Sequence, residues 1–238
     1  MVDKAKADLY LKVREKESRL FSDDVVSKLP LFSKNHLLSD EWQARFYSAK
    51  RLKEYLSKKH TSLKILDLGC GNGWLSNFLH QASHTVFGVD QNIFELKQAA
   101  RVFSSKPKLF FLETDIFSAP FQKNTFDIIL LASAAQYFPD LVYLLKTLFH
   151  YLKPDGEIHI MDTPFYSDAE LDNAIHRTKT YYSSLGFPEM SKIYFHHQVS
   201  ELEKFSVKWM YHPNSFVLRV KRIFGKIDSP FPWVAIKI

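Results

Sequence analysis

Three glycines, Gly69, Gly71 and Gly73, fall within five residues of one another in a chain of 238 residues that contains only seven. They follow an apolar run at 63–68 and precede a segment, 74–81, with helical spacing of its apolar residues. Glycine spent this sparingly belongs where backbone must turn through positive φ or approach a ligand closely. A strand, a glycine-rich turn and a helix in that order place a nucleotide-like ligand at a helix N-terminus, inside a parallel α/β sheet.

The rest of the central region keeps that grammar. Short apolar runs at 63–68, 85–89, 108–112, 126–131 and 157–161 alternate with helical segments at 74–81, 93–103 and 141–152. Parallel strands need such crossovers, and the crossovers are right-handed. The pattern predicts a doubly wound α/β sheet with helices on both faces. Lys153-Pro154-Asp155-Gly156 reads as the turn into the fifth strand.

Residues 1–60 read as a helical N-terminal cap. Its best-defined helix starts at Ser39-Asp40, taken as N-cap residues, and carries Trp42, Phe46, Ala49, Leu52 and Leu56 on one face. An earlier helical stretch, 10–29, ends at Pro30. The remainder, 61–238, divides into a cofactor half at 61–162 and a substrate-side half at 163–238. In the latter the sequence predicts helices at 168–184, 199–205 and 215–224, and strands at 206–211 and 233–238.

Two acids sharpen the ligand. Asp90 ends the second strand, 17 residues after Gly73, where a carboxylate accepts hydrogen bonds from ribose hydroxyls. Asp115 follows the third strand, within reach of an adenine amino group. Loops at the carboxyl ends of adjacent parallel strands converge on one crevice. The dinucleotide fingerprint GxGxxG fails, with Trp74 or Ser76 at its last position, and no GxxxxGK[ST] occurs.

The turn does match D-x-G-x-G-x-G, as Asp67-Leu68-Gly69-Cys70-Gly71-Asn72-Gly73. This resembles the first motif of class I S-adenosylmethionine-dependent methyltransferases of the small-molecule type. The likeness continues through Gly88-Val89-Asp90, Thr114-Asp115-Ile116, Phe126-Asp127-Ile128-Ile129 and Leu152-Lys153-Pro154-Asp155-Gly156-Glu157. The resemblance implies a Rossmann-like seven-stranded sheet of order 3-2-1-4-5-7-6 with the last strand antiparallel. It also implies S-adenosyl-L-methionine as cofactor. Gly69, Gly71 and Gly73 would contact its methionine end, with Asp67 orienting the turn. Asp90 would bind the ribose, Asp115 the adenine amino group, Ile116 the adenine face, and Gln91 would flank the adenine. Ala132 opens the loop between cofactor and substrate. Gln136 stands in that loop where many relatives carry histidine.

The same loop reads Ala132-Ser133-Ala134-Ala135, unlike the [DNS]-P-P-[YFW] motif of methyltransferases that act on exocyclic base amines. This disfavours N-methylation of bases but leaves ribose and other RNA positions open. The leading expectation is a small-molecule acceptor, with its oxygen, nitrogen or carbon as the accepting atom. RNA or protein is the alternative, and a non-enzymatic partner that keeps the fold is the third reading. Nucleic-acid binding is not expected.

Methyl transfer is an in-line displacement, driven by alignment and water exclusion, so no single catalytic residue is demanded. Asp162 and Tyr137 are the candidates near the strand ends, with His159 inside a strand. His196-His197 with Glu201 is a sparse metal-ligand pattern, and no metal is expected. Arg45, beside Glu41 and Trp42, is placed to clamp a carboxylate or phosphate or to form a salt bridge. The segment 216–224 is basic and amphipathic, a pattern that suits a packed helix or a membrane surface.

A lone cysteine, Cys70, leaves no internal disulfide and no cysteine-built metal site. The net charge of +6 comes from dispersed residues rather than a basic stripe. The first residues lack a signal-peptide core, and no apolar run approaches the ~20 residues of a membrane span. The chain is thus expected to be soluble and cytoplasmic.

Overall fold

The computed structural model describes residues 4–33, 36–59, 62–215, 225 and 227–237. Three helices come first: α1 (Lys4–Lys16), α2 (Asp23–Lys28) and α3 (Ser39–Leu56). The α/β region follows as β1 (Lys64–Leu68), α4 (Trp74–His80), β2 (Thr85–Asp90), α5 (Ile93–Phe103), β3 (Leu109–Glu113), β4 (Phe126–Ala132), α6 (Leu141–Tyr151) and β5 (Leu152–Met161). Beyond it lie β6 (Phe165–Tyr166), α7 (Asp168–Leu185), β7 (His197–Gln198), α8 (Val199–Leu202), β8 (Ser206–Tyr211) and β9 (Trp233–Lys237).

The main sheet has seven strands in the order β3-β2-β1-β4-β5-β9-β8. β9 runs antiparallel to both of its neighbours, and the first five strands are mutually parallel. This is the expected 3-2-1-4-5-7-6 order, with a separate two-stranded pair, β6 and β7, added at 165–166 and 197–198.

Both faces of the sheet are covered, which is why its strands are continuous apolar runs rather than alternating ones. Leu66, Leu68, Ile129, Leu131, Ile158 and Ile160 face Leu141, Leu144, Leu145 and Leu148 of α6. The alternate residues Ile65, Ile128 and Leu130 face Leu52 and Leu56 of α3 and Leu75 and Leu79 of α4. Helices α2 and α3 and Leu29 after α2 therefore share the core of the sheet, through Val26, Leu29, Trp42 and Ala49.

Helix starts follow local capping chemistry. The Asn92 side chain accepts the Phe94 and Glu95 N–H groups at the head of α5, and Asp140 accepts the Tyr143 N–H at the head of α6. Ser167 and Glu170 form a reciprocal capping box on α7, which ends at Gly186 in the left-handed region.

The structure departs from the sequence reading in five places. The 10–29 stretch is two helices, broken at 17–22. Helix α3 takes Ser39 as its first residue, after Leu38, with no side-chain cap. Phe46 is only half-buried on that helix. Lys153–Gly156 does not precede the fifth strand: Leu152 already pairs with Phe126, and pairing resumes at Glu157 with Ile128. The four residues bulge out of β5, a position that tolerates Pro154. Helix α8 is four residues long. The helix expected at 215–224 lies outside the described residues apart from Ser215.

Candidate active site

The carboxyl ends of β1, β2, β3 and β4 meet at one edge, as the registers Leu68 with Val89 and Asp90 with Glu113 require. After β1 the chain turns through Gly69, whose N–H donates to the Val89 carbonyl at 2.7 Å, as does the Cys70 N–H at 3.1 Å. Gly69 has φ +76°, and a Cβ there would stand 2.5 Å from the Ala134 Cβ. The turn therefore needs glycine both for its conformation and for its approach to the loop after β4. Gly73, φ +75°, starts α4, and a Cβ on it would meet the Phe111 ring at 2.6 Å.

The acids sit where the motifs put them. Asp90 accepts the Gly71 N–H through Oδ2 and the Asn92 N–H through Oδ1, both at 2.8 Å. Each carboxylate oxygen retains a lone pair for a ribose hydroxyl. Asp67 is buried beneath the turn and accepts the Ser76 hydroxyl at 2.6 Å. Burial pushes its carboxyl up to about 6. Asp115 accepts the Phe117 N–H at 3.1 Å through Oδ1, and its Oδ2 has no hydrogen-bond partner among the described residues.

These groups line a cavity of about 450 Å³. Asp67, Gly69, Gly71, Asp90, Gln91, Asp115, Ile116 and Ala132 all belong to its wall. Gly73 does not: it serves the α4 start, packed against Phe111. The wall's chemistry fits a nucleoside with an amino-acid tail. It offers a glycine turn without Cβ atoms, a doubly bonded strand-end acid, an apolar Ile116 and an acid with a free oxygen.

Several wall residues had no place in the sequence reading. Glu95, buried on α5, is pushed up to about 7 by burial, against the pull of Arg14. Tyr10 and Arg14 reach the cavity from α1, spaced four apart with Lys6 on the same helix face. That spacing was the available signal.

A second cavity, of about 660 Å³, adjoins the first. The two share Tyr10, Arg14, Arg19, Glu41, Arg45, Ser133 and Tyr137. Its far wall is made by α7, the segment between α7 and β7, and the segment before β9, including Tyr182, Tyr194 and Phe231. Asp162 lines this second cavity. Its Oδ1 accepts the hydroxyls of Ser48 and Ser229, both at 2.8 Å, and its Oδ2 has no partner among the described residues. Tyr137 stands at the junction, edge-on to Tyr10 at 5.6 Å and to Tyr194 at 6.0 Å. Burial raises its phenol above the ordinary value.

The histidines go elsewhere. His159 is fully buried between Glu157 and the Trp233 indole, away from both cavities. His197 donates to the Ala135 carbonyl at 2.9 Å and lies 3.6 Å from Glu201, while His196 pairs with the Thr178 hydroxyl at 2.8 Å. His197 thus braces the loop after β4, and His196 is tied to α7. No group of three or more histidine, cysteine, aspartate or glutamate side chains suited to a metal ion occurs among the described residues. Gln136 is buried, donating to the Ser133 carbonyl at 2.7 Å and accepting the Thr163 hydroxyl at 3.1 Å. Arg45 donates twice to Glu41, at 3.0 and 3.1 Å. No helix of the described residues is long and apolar enough to cross a membrane.

The sheet order and the motif-bearing crevice define the Rossmann-like class I methyltransferase fold. Residues 59–214 match a family described as a methyltransferase domain, and the chain belongs to that family. It is 31% identical over 140 residues to a demethylmenaquinone methyltransferase of Lactococcus lactis, covering 55% of this chain and 53% of that one. It is 29% identical over 175 residues to a tRNA U34 carboxymethyltransferase of Helicobacter pylori, covering 70% and 61%. The chain thus spans between half and two thirds of these curated relatives. Among solved structures it resembles the YcgJ protein of Bacillus subtilis, with a TM-score of 0.60 at 17% identity, covering 81% of this chain and 98% of that one.

Proposed function

We propose that the chain transfers a methyl group from S-adenosylmethionine to a small molecule held in the second cavity. The observation that carries this reading is the pair of adjoining cavities with seven shared wall residues. A cofactor at the glycine turn and an acceptor beyond Tyr137 would meet at that shared wall, shielded from bulk water.

S-adenosylmethionine supplies an electrophilic methyl on a sulfonium; this chain's part is to bind, align and exclude water. Gly69 and Gly71 would carry the methionine end, Asp90 the ribose, and Asp115 with Ile116 the adenine, with Gln91 and Ala132 flanking. Asp67 would act through the turn. Where the acceptor must lose a proton, Asp162 is the better candidate. Its carboxylate is oriented by two serines and keeps one oxygen free. Tyr137, whose phenol burial keeps protonated, suits a donor or steric role.

A second reading, an RNA acceptor, draws support from the likeness to a tRNA-modifying enzyme. The two separate on one experiment. Labelled S-adenosylmethionine is incubated with the protein and either a small-molecule metabolite fraction or total tRNA. The proposed function predicts label in the small-molecule fraction. Label in tRNA, with binding that weakens steeply as salt rises, would establish the alternative.

A further inference from the structure

The wall between the two cavities carries three arginines, Arg14, Arg19 and Arg45, with Glu41 as the one carboxylate that lines both. Two of the arginines bond to that carboxylate. Arg45 and Arg19 both donate to Glu41 Oε1, and these contacts hold the Glu41 carboxyl down at about 2 although burial alone would raise it. Arg19 also lies 3.2 Å from Glu17 Oε2.

Arg14 is different. Its Nη1 stands 3.7 Å from Glu17 Oε2, beyond hydrogen-bond range. Its guanidinium carbon lies over the Tyr10 ring, 5.1 Å from the centroid. Its Nε is buried without a hydrogen-bond partner among the described residues, as is that of Arg19, but Arg19 keeps its bond to Glu41 whereas the Arg14 side chain makes no hydrogen bond to any described residue. A buried guanidinium donor without an acceptor is costly, and in a native protein such a group calls for a missing partner. Glu17 is already engaged by the Tyr181 hydroxyl at 2.6 Å.

The other acids of the second cavity do not supply that partner. Asp228 pairs with Arg51 at 2.7 Å, Asp162 is bonded by Ser48 and Ser229, and Asp40 is exposed on α3. Glu95 lies on the cofactor side, hydrogen-bonded by the Asn92 side chain at 3.3 Å. Tyr10 packs against the Arg14 guanidinium, Tyr137 and Glu95 also act on it, and Tyr182 and Tyr194 line the same cavity.

We propose that the second cavity takes an acceptor with an apolar or aromatic body and a carboxylate or phosphate group, and that Arg14 pairs with that oxyanion. The inference rests on the methyltransferase reading above and names the acceptor's class. A planar guanidinium with a free edge matches either oxyanion in a forked pair. The tyrosines of this wall, in edge-on contact with one another, offer an apolar surface for a flat body to pack on.

The test uses protein saturated with S-adenosylhomocysteine. Benzoate and phenyl phosphate are the anionic probes, and benzyl alcohol and benzylamine are the neutral and cationic controls, each titrated by calorimetry. The expected result is binding of one or both anions at least about tenfold tighter than the controls, with that preference lost in Arg14→Gln and only partly kept in Arg14→Lys, which retains the charge but not the fork. Benzoate against phenyl phosphate tells carboxylate from phosphate. Equal binding of anions and controls, no binding of either anion, or unchanged anion binding in Arg14→Gln would overturn the proposal. So would a loss of S-adenosylhomocysteine affinity in Arg14→Gln with anion binding intact, which would give Arg14 to the cofactor's own carboxylate. Failure of the wild-type protein to bind S-adenosylhomocysteine would instead contradict the methyltransferase reading, and is read from the first titration.

Discussion

Asp90 and Gly71 are joined directly: the strand-end carboxylate accepts the turn's N–H at 2.8 Å, while its other oxygen accepts the Asn92 N–H. The acid expected to bind the ribose is thus also a strut of the glycine turn. Asp90→Ala removes both and should abolish S-adenosylhomocysteine binding. Asp90→Asn keeps one acceptor and the shape, and should weaken binding by about tenfold or more, since each charge-assisted hydrogen bond contributes roughly 1.5–3 kcal/mol. Calorimetry on the two variants checks this; full affinity in Asp90→Ala would remove Asp90 from the site.

Gly69→Ala meets two penalties at once, a left-handed backbone and a Cβ 2.5 Å from the Ala134 Cβ. Each is of order 1–3 kcal/mol, so the variant should lose more than about 2 kcal/mol in urea denaturation. Adding Ala134→Gly relieves the contact but not the backbone strain. The double variant should therefore recover part of the loss, and no recovery would show that the contact is not what makes the position glycine.

Buried carboxyls set a pH dependence of the ligand-free protein. Glu95 is pushed from 4.5 to about 7 and Asp67 from 3.8 to about 6, in both cases by burial. Between those limits the native state holds protons that the unfolded chain has released, so stability falls as pH rises from about 4 to 7. Glu95→Gln removes the larger share and should be more stable than wild type at pH 8, by up to roughly 3 kcal/mol, with little difference at pH 4.5. Parallel curves for the two proteins from pH 4.5 to 8 would contradict the assignment.

Glu157 gathers Tyr55 at 2.8 Å, Lys59 at 2.8 Å, Lys237 at 3.2 Å and His159 at 3.2 Å around one buried carboxylate. Burial opposes its charge, but the hydrogen bonds from His159, Lys59 and Tyr55 hold the carboxyl well below the usual range. Replacing it by glutamine strands the cations and should cost about 3 kcal/mol. The cluster sits where β5 resumes after its bulge, at the opposite end of the strand from Asp162, so affinity for S-adenosylhomocysteine should not change. A loss of affinity with stability intact would contradict this purely structural role.

How much of this was legible depended on whether the signal was local. The glycine turn, Asp90 and Asp115 are read from short motifs because backbone geometry at the ends of parallel strands fixes where such residues can go. The strand order followed from the motif series as a whole. Arg14, Tyr10 and Glu95 escaped because their roles come from α1 and α5 crossing the crevice, a tertiary event with only a four-residue spacing to mark it. The bulge at Lys153–Gly156 looked like a plain turn because proline and glycine mark both, and only the pairing of Leu152 with Phe126 tells them apart. Asp162 directly follows β5, and its two serine partners come from residues 48 and 229, far away in sequence. Gly73 belonged to the turn yet proved to serve the helix behind it, since φ alone does not say which way a glycine faces.

The central claim is that the glycine turn and Asp90 form an S-adenosylmethionine site. Thermal unfolding with S-adenosylhomocysteine, beside NADH and ATP, tests it most directly. At 100 times its dissociation constant a ligand adds about 2.7 kcal/mol, enough to raise the melting temperature by a few degrees. The account predicts that shift for S-adenosylhomocysteine alone, and its loss in Asp90→Ala. No shift with S-adenosylhomocysteine, or an equal one with ATP or NADH, would contradict it.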